Sequence, residues 1–188
     1  MLNFATLSAM KELTCPHLGT PLKVIRPEYV DFDGNTKTGE MVVHADMADA
    51  TLAALADCKA AGFRIADMQP AENFDYDDDK SMAANNSVAY MYRTVAGRNF
   101  LSHHALGLAL DLNPMQNPYI RPDLHAPEGS VYDEAAMGTI TPAIATIWKN
   151  HGFNWGGDWN SSVDYMHFSW GKSDIASGGK LTPEVPSK

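Results

Sequence analysis

The stretch SHHALGLALD, Ser102–Asp111, places two adjacent histidines before a small and apolar run that ends in an aspartate. Side chains of a β-strand point alternately to its two faces, so Gly107, Ala109 and Asp111 share one face while the intervening leucines share the other. An acid on a half-buried strand is unfavourable unless it is paired or bound to a cation. The sequence therefore predicts a strand over 107–113 whose leucine face joins the core and whose small residues leave space beside Asp111.

A bend in the chain is needed to bring His104 to Asp111. The two residues are seven positions apart, so strict alternation would put them on opposite faces of one strand. Gly107 permits the chain to bend after Ser102. We therefore expect His104 to meet Asp111 only through a bend between Ser102 and Gly107.

A second polar segment, WGGDWNSSVDYMHFSW, covers residues 155–170. Gly156-Gly157 predicts a flexible corner between two tryptophans. Asp164 and His167 are three positions apart, and in a regular strand they would face opposite ways. A loop that enters a strand near Tyr165 would let both side chains point into one pocket.

Together the two segments supply the groups of a catalytic metal site. Two imidazoles and one carboxylate are sufficient protein ligands for a catalytic zinc ion with water in the fourth position. His104, Asp111 and His167 provide that set. Asp164 then remains as a carboxylate that can act as general base on the bound water. A single histidine is more often structural, but four such residues in two segments rich in glycine and tryptophan favour a metal centre.

The overall composition is that of a soluble globular protein. The chain has 188 residues, of which 45% are hydrophobic and 20% charged, and its formal net charge is −9. That charge argues against a nucleic-acid partner, because phosphates bind basic surfaces. No segment approaches the roughly 20 apolar residues that a membrane-spanning helix needs. The first 15 residues lack a basic region before a long apolar stretch, so an intact secretory signal is not predicted. No feature requires a partner chain, so we expect a monomer.

Helices and strands do not alternate strictly along the chain, which favours a single α+β domain with a small, mostly antiparallel sheet and flanking helices. We expect an N-terminal extension over 1–23, the folded domain over 24–170 and a flexible tail over 171–188. The apolar pattern predicts helices over 46–62 and 141–151 and, with less regular spacing, a short helix over 86–95. Strands are predicted over 63–68 and 163–170 and on both sides of a turn-rich link within 21–45. The acidic segment 72–86 and the segment 113–134 are predicted to be irregular.

Two cysteines, Cys15 and Cys58, are too few for a disulfide scaffold and lack a zinc-type spacing. Cys58 falls on the apolar face of the first predicted helix, so we expect a buried thiol. A bridge between the two cysteines remains an alternative that the sequence does not decide.

The two motifs resemble the signature of the zinc D-alanyl-D-alanine carboxypeptidase family. That group also includes vancomycin-resistance D,D-peptidases and phage L-alanyl-D-glutamate endolysins, and its fold is shared with the Hedgehog signalling domain. The wider likeness runs from about Val24 to Trp170. The residues that carry the two motifs are Ser102, His104, Gly107, Ala109, Asp111, Asp164, His167 and Phe168.

The resemblance implies that His104, Asp111 and His167 bind one Zn²⁺ per chain and that Asp164 is the catalytic base. It favours His104 over its neighbour as the ligand. The family also uses an arginine to steady the carbonyl oxygen and the carboxylate of the peptide. Arg93 is our candidate for that arginine, and its alternative interpretation is an exposed helix residue.

The resemblance further implies that the substrates are peptidoglycan peptides that contain D-amino acids. Ser102, Trp155, Trp159 and Tyr119 are candidates for the substrate groove; Ser102 could equally shape the turn. We expect a D-alanyl-D-alanine carboxypeptidase, with an L-alanyl-D-glutamate endopeptidase as the first alternative. A non-catalytic zinc-containing binding module is the second, and the acid at Asp164 favours an enzyme over it. The expected location is the periplasm or the exterior of a bacterium, with release by phage-type lysis as the alternative.

Overall fold

The chain folds into short strands and a few helices. The computed structural model describes residues 13–14, 20–95 and 101–171. In chain order its regular elements are β1 (Leu13–Thr14), β2 (Pro21–Ile25), β3 (Glu28–Val30), β4 (Thr36–Thr38), β5 (Met41–His44), α1 (Ala48–Ala60), α2 (Asp78–Ala83), β6 (Ala109–Asp111), β7 (Tyr119–Arg121), β8 (Leu124–Ala126), α3 (Pro142–Asn150), β9 (Phe153–Trp155), β10 (Val163–Asp164) and β11 (His167–Trp170).

The strands form small antiparallel sheets. One sheet has the order β1-β2-β5, a second β6-β11-β9 and a third β10-β7-β8, while β3 pairs with β4. This mixed architecture of small antiparallel sheets and helices agrees with the predicted α+β class. Strand β2 begins at Pro21, slightly before the predicted start of the domain at residue 24.

The core lies between helices α1 and α3 and the sheet that contains β11. Trp148 of α3 stacks on Phe168 of β11 with ring centroids 4.8 Å apart, and both side chains are fully buried. Burial of a side chain of this size contributes about 1.5–3 kcal/mol to folding. Because side chains alternate along β11, the residue that precedes Phe168 points away from this packing, toward the site described below.

Helix α3 begins as its sequence predicts. The Thr141 side chain accepts a hydrogen bond from the backbone N–H of Ile144, at 3.4 Å, and Pro142 occupies the first helical position. Cys58 of α1 is a buried free thiol, as expected. Burial raises its pKa to about 12, so it stays protonated and inert. Cys15 and the predicted tail beyond Gly171 lie outside the described residues.

Several predictions of local structure are wrong. Residues 86–95 are extended rather than helical, because Val88 exchanges two backbone hydrogen bonds with Asp111. Within 113–134 the chain forms the β7–β8 hairpin. The segment 63–68 contains only an isolated bridge from Asp67 to Asn86. The extended conformation of residues 86–95 comes from pairing with a distant segment, which local periodicity does not encode.

No helix in the described part of the chain combines the length and the apolar character that crossing a bilayer requires. Helix α1, for comparison, has 13 residues.

Candidate active site

The bend that carries His104 is a single 3-10 turn, His103–Leu106. The Ser102 hydroxyl oxygen accepts a hydrogen bond from the backbone N–H of His104, at 3.3 Å, and so caps the turn. Gly107 ends the turn in the left-handed region, with φ +66°. The bend therefore lies in the predicted interval and makes the approach of His104 to Asp111 possible.

The predicted open space at Gly107 is wrong. A Cβ atom at this position would lie 2.7 Å from the backbone nitrogen of His44 and 2.7 Å from the Leu22 side chain. The Gly107 carbonyl accepts a hydrogen bond from the His44 N–H at 2.8 Å. Glycine is needed here because β5 approaches the backbone closely and because φ is positive.

Asp111 and His167 are brought together by strand pairing. Asp111 ends β6, His167 begins β11, and the two residues are direct partners in the antiparallel register. The distance between His167 Nδ1 and Asp111 Oδ1 is 3.1 Å. The side chains of directly paired residues point to the same face of a sheet, so the pairing alone places this imidazole beside this carboxylate.

His104 completes a cluster of three buried side chains. His104 Nε2 lies 3.2 Å from Asp111 Oδ2 and 3.2 Å from His167 Nδ1. The exposed fractions of His104, Asp111 and His167 are 1%, 4% and 6%. Among the described residues these three form the group whose nitrogen and oxygen atoms converge closely enough to hold a metal ion.

The hydrogen bonding of His104 determines which of its ring nitrogens is free. His104 Nδ1 lies 2.7 Å from the backbone oxygen of Ala89, and a carbonyl oxygen only accepts, so Nδ1 carries the proton and donates it. In the neutral ring, Nε2 then presents a lone pair to Asp111 and His167. A lone pair, a second ring nitrogen and a carboxylate facing one another are unfavourable unless a proton or a metal cation lies among them.

Zinc fits this donor set. One ligand atom from each of His104, Asp111 and His167 lies within 4.8 Å of the other two, and imidazole nitrogen and carboxylate oxygen are ligands that zinc binds. Burial alone would raise the pKa of Asp111, but the neighbouring imidazoles of His104 and His167 lower it. The carboxylate is therefore ionised, as a metal ligand must be.

Asp164 lies in β10, opposite Tyr119 of β7. Its Oδ1 atom is buried and has no hydrogen-bond partner among the described residues. Burial raises the pKa of Asp164 to about 7, and the nearby Asp111 charge acts in the same direction, against the effects of His167 and Arg93. A buried carboxyl that ionises near neutral pH is suited to accept and return a proton.

The glycine pair ahead of this acid is closely packed rather than a flexible corner. Residues Gly156–Asp158 form a 3-10 turn. A Cβ atom at Gly156 would lie 2.5 Å from the Asp164 backbone oxygen and 2.9 Å from its Cβ. A Cβ atom at Gly157 would overlap the Trp155 ring. Both glycines thus provide the room in which Asp164 and Trp155 are held.

A cavity of about 270 Å³ contains the site. One part of its wall is apolar and another is charged. The residues that line it are Asp78, Asp79, Met82, Arg93, Val95, Leu101, Ser102, His103, His104, Asp111, Tyr119, Leu124, Ala126, Trp159, Asp164, Met166 and His167.

Most of the residues predicted for the substrate groove line this cavity. Ser102, Tyr119 and Trp159 do, and the ring of Trp159 lies 5.4 Å from that of His167. Trp155 does not: it is buried in the hydrophobic core, and its indole N–H donates a hydrogen bond to the backbone oxygen of Tyr165, at 2.9 Å.

The second half of the chain resembles a known protein family in sequence. Residues 96–170 match the model of the D-alanyl-D-alanine carboxypeptidase family. This match confirms the family resemblance. A comparison with curated proteins gave no match, and neither did one with solved structures.

The segment that matches the carboxypeptidase family contains the three clustered side chains and Asp164. It does not contain Arg93 or Asp78, which lie N-terminal to it. The family match therefore bears on the metal cluster and its neighbouring acid, while the charged part of the wall comes from a segment outside the match.

The polar residues of the cavity wall that the sequence did not predict include Asp78 and His103. Asp78 was expected in a solvated acidic loop, but it begins helix α2 and its Oδ2 lies 2.8 Å from Arg93 Nε. The signal that predicts this helix is Asp77, whose side chain caps it by accepting from the Lys80 N–H at 3.0 Å. His103 is the other residue: it is buried beside the cavity, and burial lowers its pKa to about 4.

Proposed function

We propose that this chain is a zinc-dependent metallopeptidase that cleaves the stem peptides of peptidoglycan, as a D-alanyl-D-alanine carboxypeptidase. The family match supports a peptidase. The observation that carries the proposal is the convergence of His104, Asp111 and His167 in one cavity with the buried carboxyl of Asp164.

The proposed roles follow from the chemistry of these groups. His104, Asp111 and His167 would hold the zinc ion, which would supply Lewis-acid polarisation of the carbonyl and make a water molecule more acidic. Asp164 accepts a proton from the attacking water and returns it to the leaving amine. Its buried Oδ1 atom, which has no hydrogen-bond partner among the described residues, is suited to both transfers.

The substrate is held by residues of the cavity wall in this proposal. Arg93 steadies the carbonyl oxygen as negative charge develops on it, and a donor of this kind is worth about 3–4 kcal/mol in other enzymes. Trp159, next to His167, provides an aromatic surface for the peptide. Ser102 caps the turn of His104 and reaches the cavity from there.

We further propose the Hedgehog/D,D-peptidase type of fold, with the peptidase domain over 24–170 between an N-terminal extension and a C-terminal tail. A cell-wall substrate implies action in the periplasm or outside the cell. Release by phage-type lysis would serve the same substrate, and the proposed working unit is the monomer.

The experiment that tests the proposal combines metal analysis with digestion of peptidoglycan. Purified protein should contain about one zinc per chain, and mass spectrometry of digested wall peptides should show loss of a terminal D-alanine. Cleavage after L-alanine would instead identify the endopeptidase. Zinc without any cleavage would identify a binding module. Protein that neither binds zinc nor cleaves wall peptides would contradict the proposal.

A further inference from the structure

An ion pair joins the acidic segment to the cavity wall. Arg93 Nε lies 2.8 Å from Asp78 Oδ2, and the two side chains are only 28% and 22% exposed. Nε is buried, and its N–H does not point at an acceptor among the described residues. The contact with Asp78 is therefore an ion pair and not a well-aligned hydrogen bond. Both residues line the cavity that contains the metal cluster.

The two partners come from different parts of the fold. Asp78 is the first residue of α2, whereas Arg93 lies in the extended segment that pairs with β6 at Val88. Asp78 is fixed in turn, because the capped start of α2 places it in the first turn of the helix. The ion pair therefore links the first residue of α2 to a long side chain of the extended segment.

Electrostatics explains why Arg93 needs a partner at this position. The proposed zinc ion carries two positive charges, and a guanidinium in the same partly buried cavity is repelled by it. Without a counter-charge, the long side chain would gain rotamer freedom and hydration by turning to solvent. Asp78 supplies that counter-charge at 2.8 Å. A guanidinium held through Nε also keeps its two Nη atoms as the planar fork that binds carboxylates and oxyanions.

We propose that Asp78 is a positioning residue, which holds the Arg93 guanidinium at the cavity wall so that it can contact the substrate. This inference rests on the proposed function, since it assigns Asp78 a role through Arg93 in the same peptidase site. Asp78 itself does not touch the reacting atoms in this proposal.

The kinetic test uses Asp78→Asn, which removes the charge and keeps the shape. We expect kcat/KM on wall peptides to fall about 10- to 100-fold with zinc content unchanged. This decrease should not exceed the decrease caused by complete loss of an oxyanion donor. The matched control is Asp75→Asn: Asp75 is 85% exposed in a surface ion pair with Lys80, and its positive φ suits asparagine. This control should retain wild-type kcat/KM.

A double-mutant cycle shows whether Asp78 acts through Arg93. In an Arg93→Lys background, Asp78→Asn should lower kcat/KM by less than about 2-fold, because the group that it positions has already been changed. Fully additive losses, or a wild-type kcat/KM in the single Asp78→Asn variant, would overturn the proposal.

A second measurement does not depend on activity. In a nitrogen-15 correlation spectrum, the buried Arg93 Nε–H should exchange slowly with water, and the signal is assigned by its absence in Arg93→Lys. In Asp78→Asn the exchange should accelerate at least 10-fold, while Asp75→Asn leaves it unchanged. Equal exchange in Asp78→Asn and wild type would overturn the positioning role. If the wild type cleaves no wall peptide, the proposed function fails and this measurement still decides the role of Asp78.

Discussion

His167 lies directly opposite Asp111 across two antiparallel strands, with His167 Nδ1 3.1 Å from Asp111 Oδ1. The register of β6 and β11 thus fixes this contact. A slip of one residue would turn His167 to the opposite face, where Phe168 now packs in the core. The same pairing that builds the core therefore also places His167 beside Asp111.

The first prediction concerns the metal ligands. His167→Ala removes one of three donors, so we expect zinc content to fall from about one ion per chain to well below half, measured by elemental analysis after gel filtration. His151→Ala is the control, because His151 forms a surface contact with Asp57 away from the cluster. Full zinc retention in His167→Ala would show that the three residues are not the ligands.

The second prediction concerns the proposed base. Asp164→Asn should keep its zinc and lose about 10²- to 10⁴-fold in kcat on wall peptides, since an amide cannot accept the proton. Asp158→Asn serves as the control, because Asp158 pairs with Lys149 and is 55% exposed. If Asp164→Asn retains wild-type kcat, another group must serve as the base.

The third prediction is a pH dependence of stability in the metal-free protein. The pKa of Asp164 is about 7 in the folded state against an ordinary value of 3.8, so folding favours the protonated carboxyl. This stabilisation is complete below pH 4 and is lost as the pH rises to 7. Asp164→Asn resembles the protonated form, and its free energy of unfolding should exceed that of the wild type by about 4 kcal/mol at pH 8 and be similar at pH 4.

Urea unfolding of both metal-free proteins at the two pH values measures this difference. Comparison of variant with wild type cancels the effects of other titrating groups, including His103, whose lowered pKa acts in the opposite direction. A difference that stays constant from pH 4 to pH 8 would contradict a raised pKa at Asp164.

The fourth prediction concerns metal removal. A ligand that binds only the folded state stabilises it by about 4 kcal/mol at a free concentration 1,000 times its Kd. Addition of a chelator should therefore lower the Tm of the wild type by several degrees. The Tm of His167→Ala should not respond, and calorimetric scans of both proteins provide the test. An equal decrease in both would point to metal binding elsewhere.

The fifth prediction concerns the glycine next to the proposed base. Gly156→Ala introduces a Cβ atom 2.5 Å from the Asp164 backbone oxygen, so β10 must shift. We expect at least a 10-fold loss in kcat, because a displacement of about 1 Å can lower activity by two orders of magnitude. Zinc content should remain near wild type, since the three proposed ligands lie in β6, in β11 and in the turn His103–Leu106 and none lies in β10. Unchanged kcat would mean that Asp164 tolerates displacement.

The candidate site was largely accessible from the sequence. The sequence shows the donors His104 and Asp111 and, between them, Gly107, where the chain bends. The bend could be predicted because glycine adopts positive φ readily. The Thr141-Pro142 start of α3 is local in the same way. Such features depend on residues a few positions apart.

What the sequence did not reveal depends on contacts between distant segments. The stretch 86–95 lies extended because Val88 bonds to Asp111, and the local pattern alone favoured a helix there. Trp155 was placed in the groove, yet its ring belongs to the core.

By itself the sequence determined which donors are present and where the chain can bend, since these are properties of single residues and short spacings. The tertiary structure alone decided that Asp78 contacts Arg93, and that β5 fills the space beside Gly107. The physical reason is that these contacts join segments that are apart in the chain. They stabilise the protein only after packing of the core has brought those segments together.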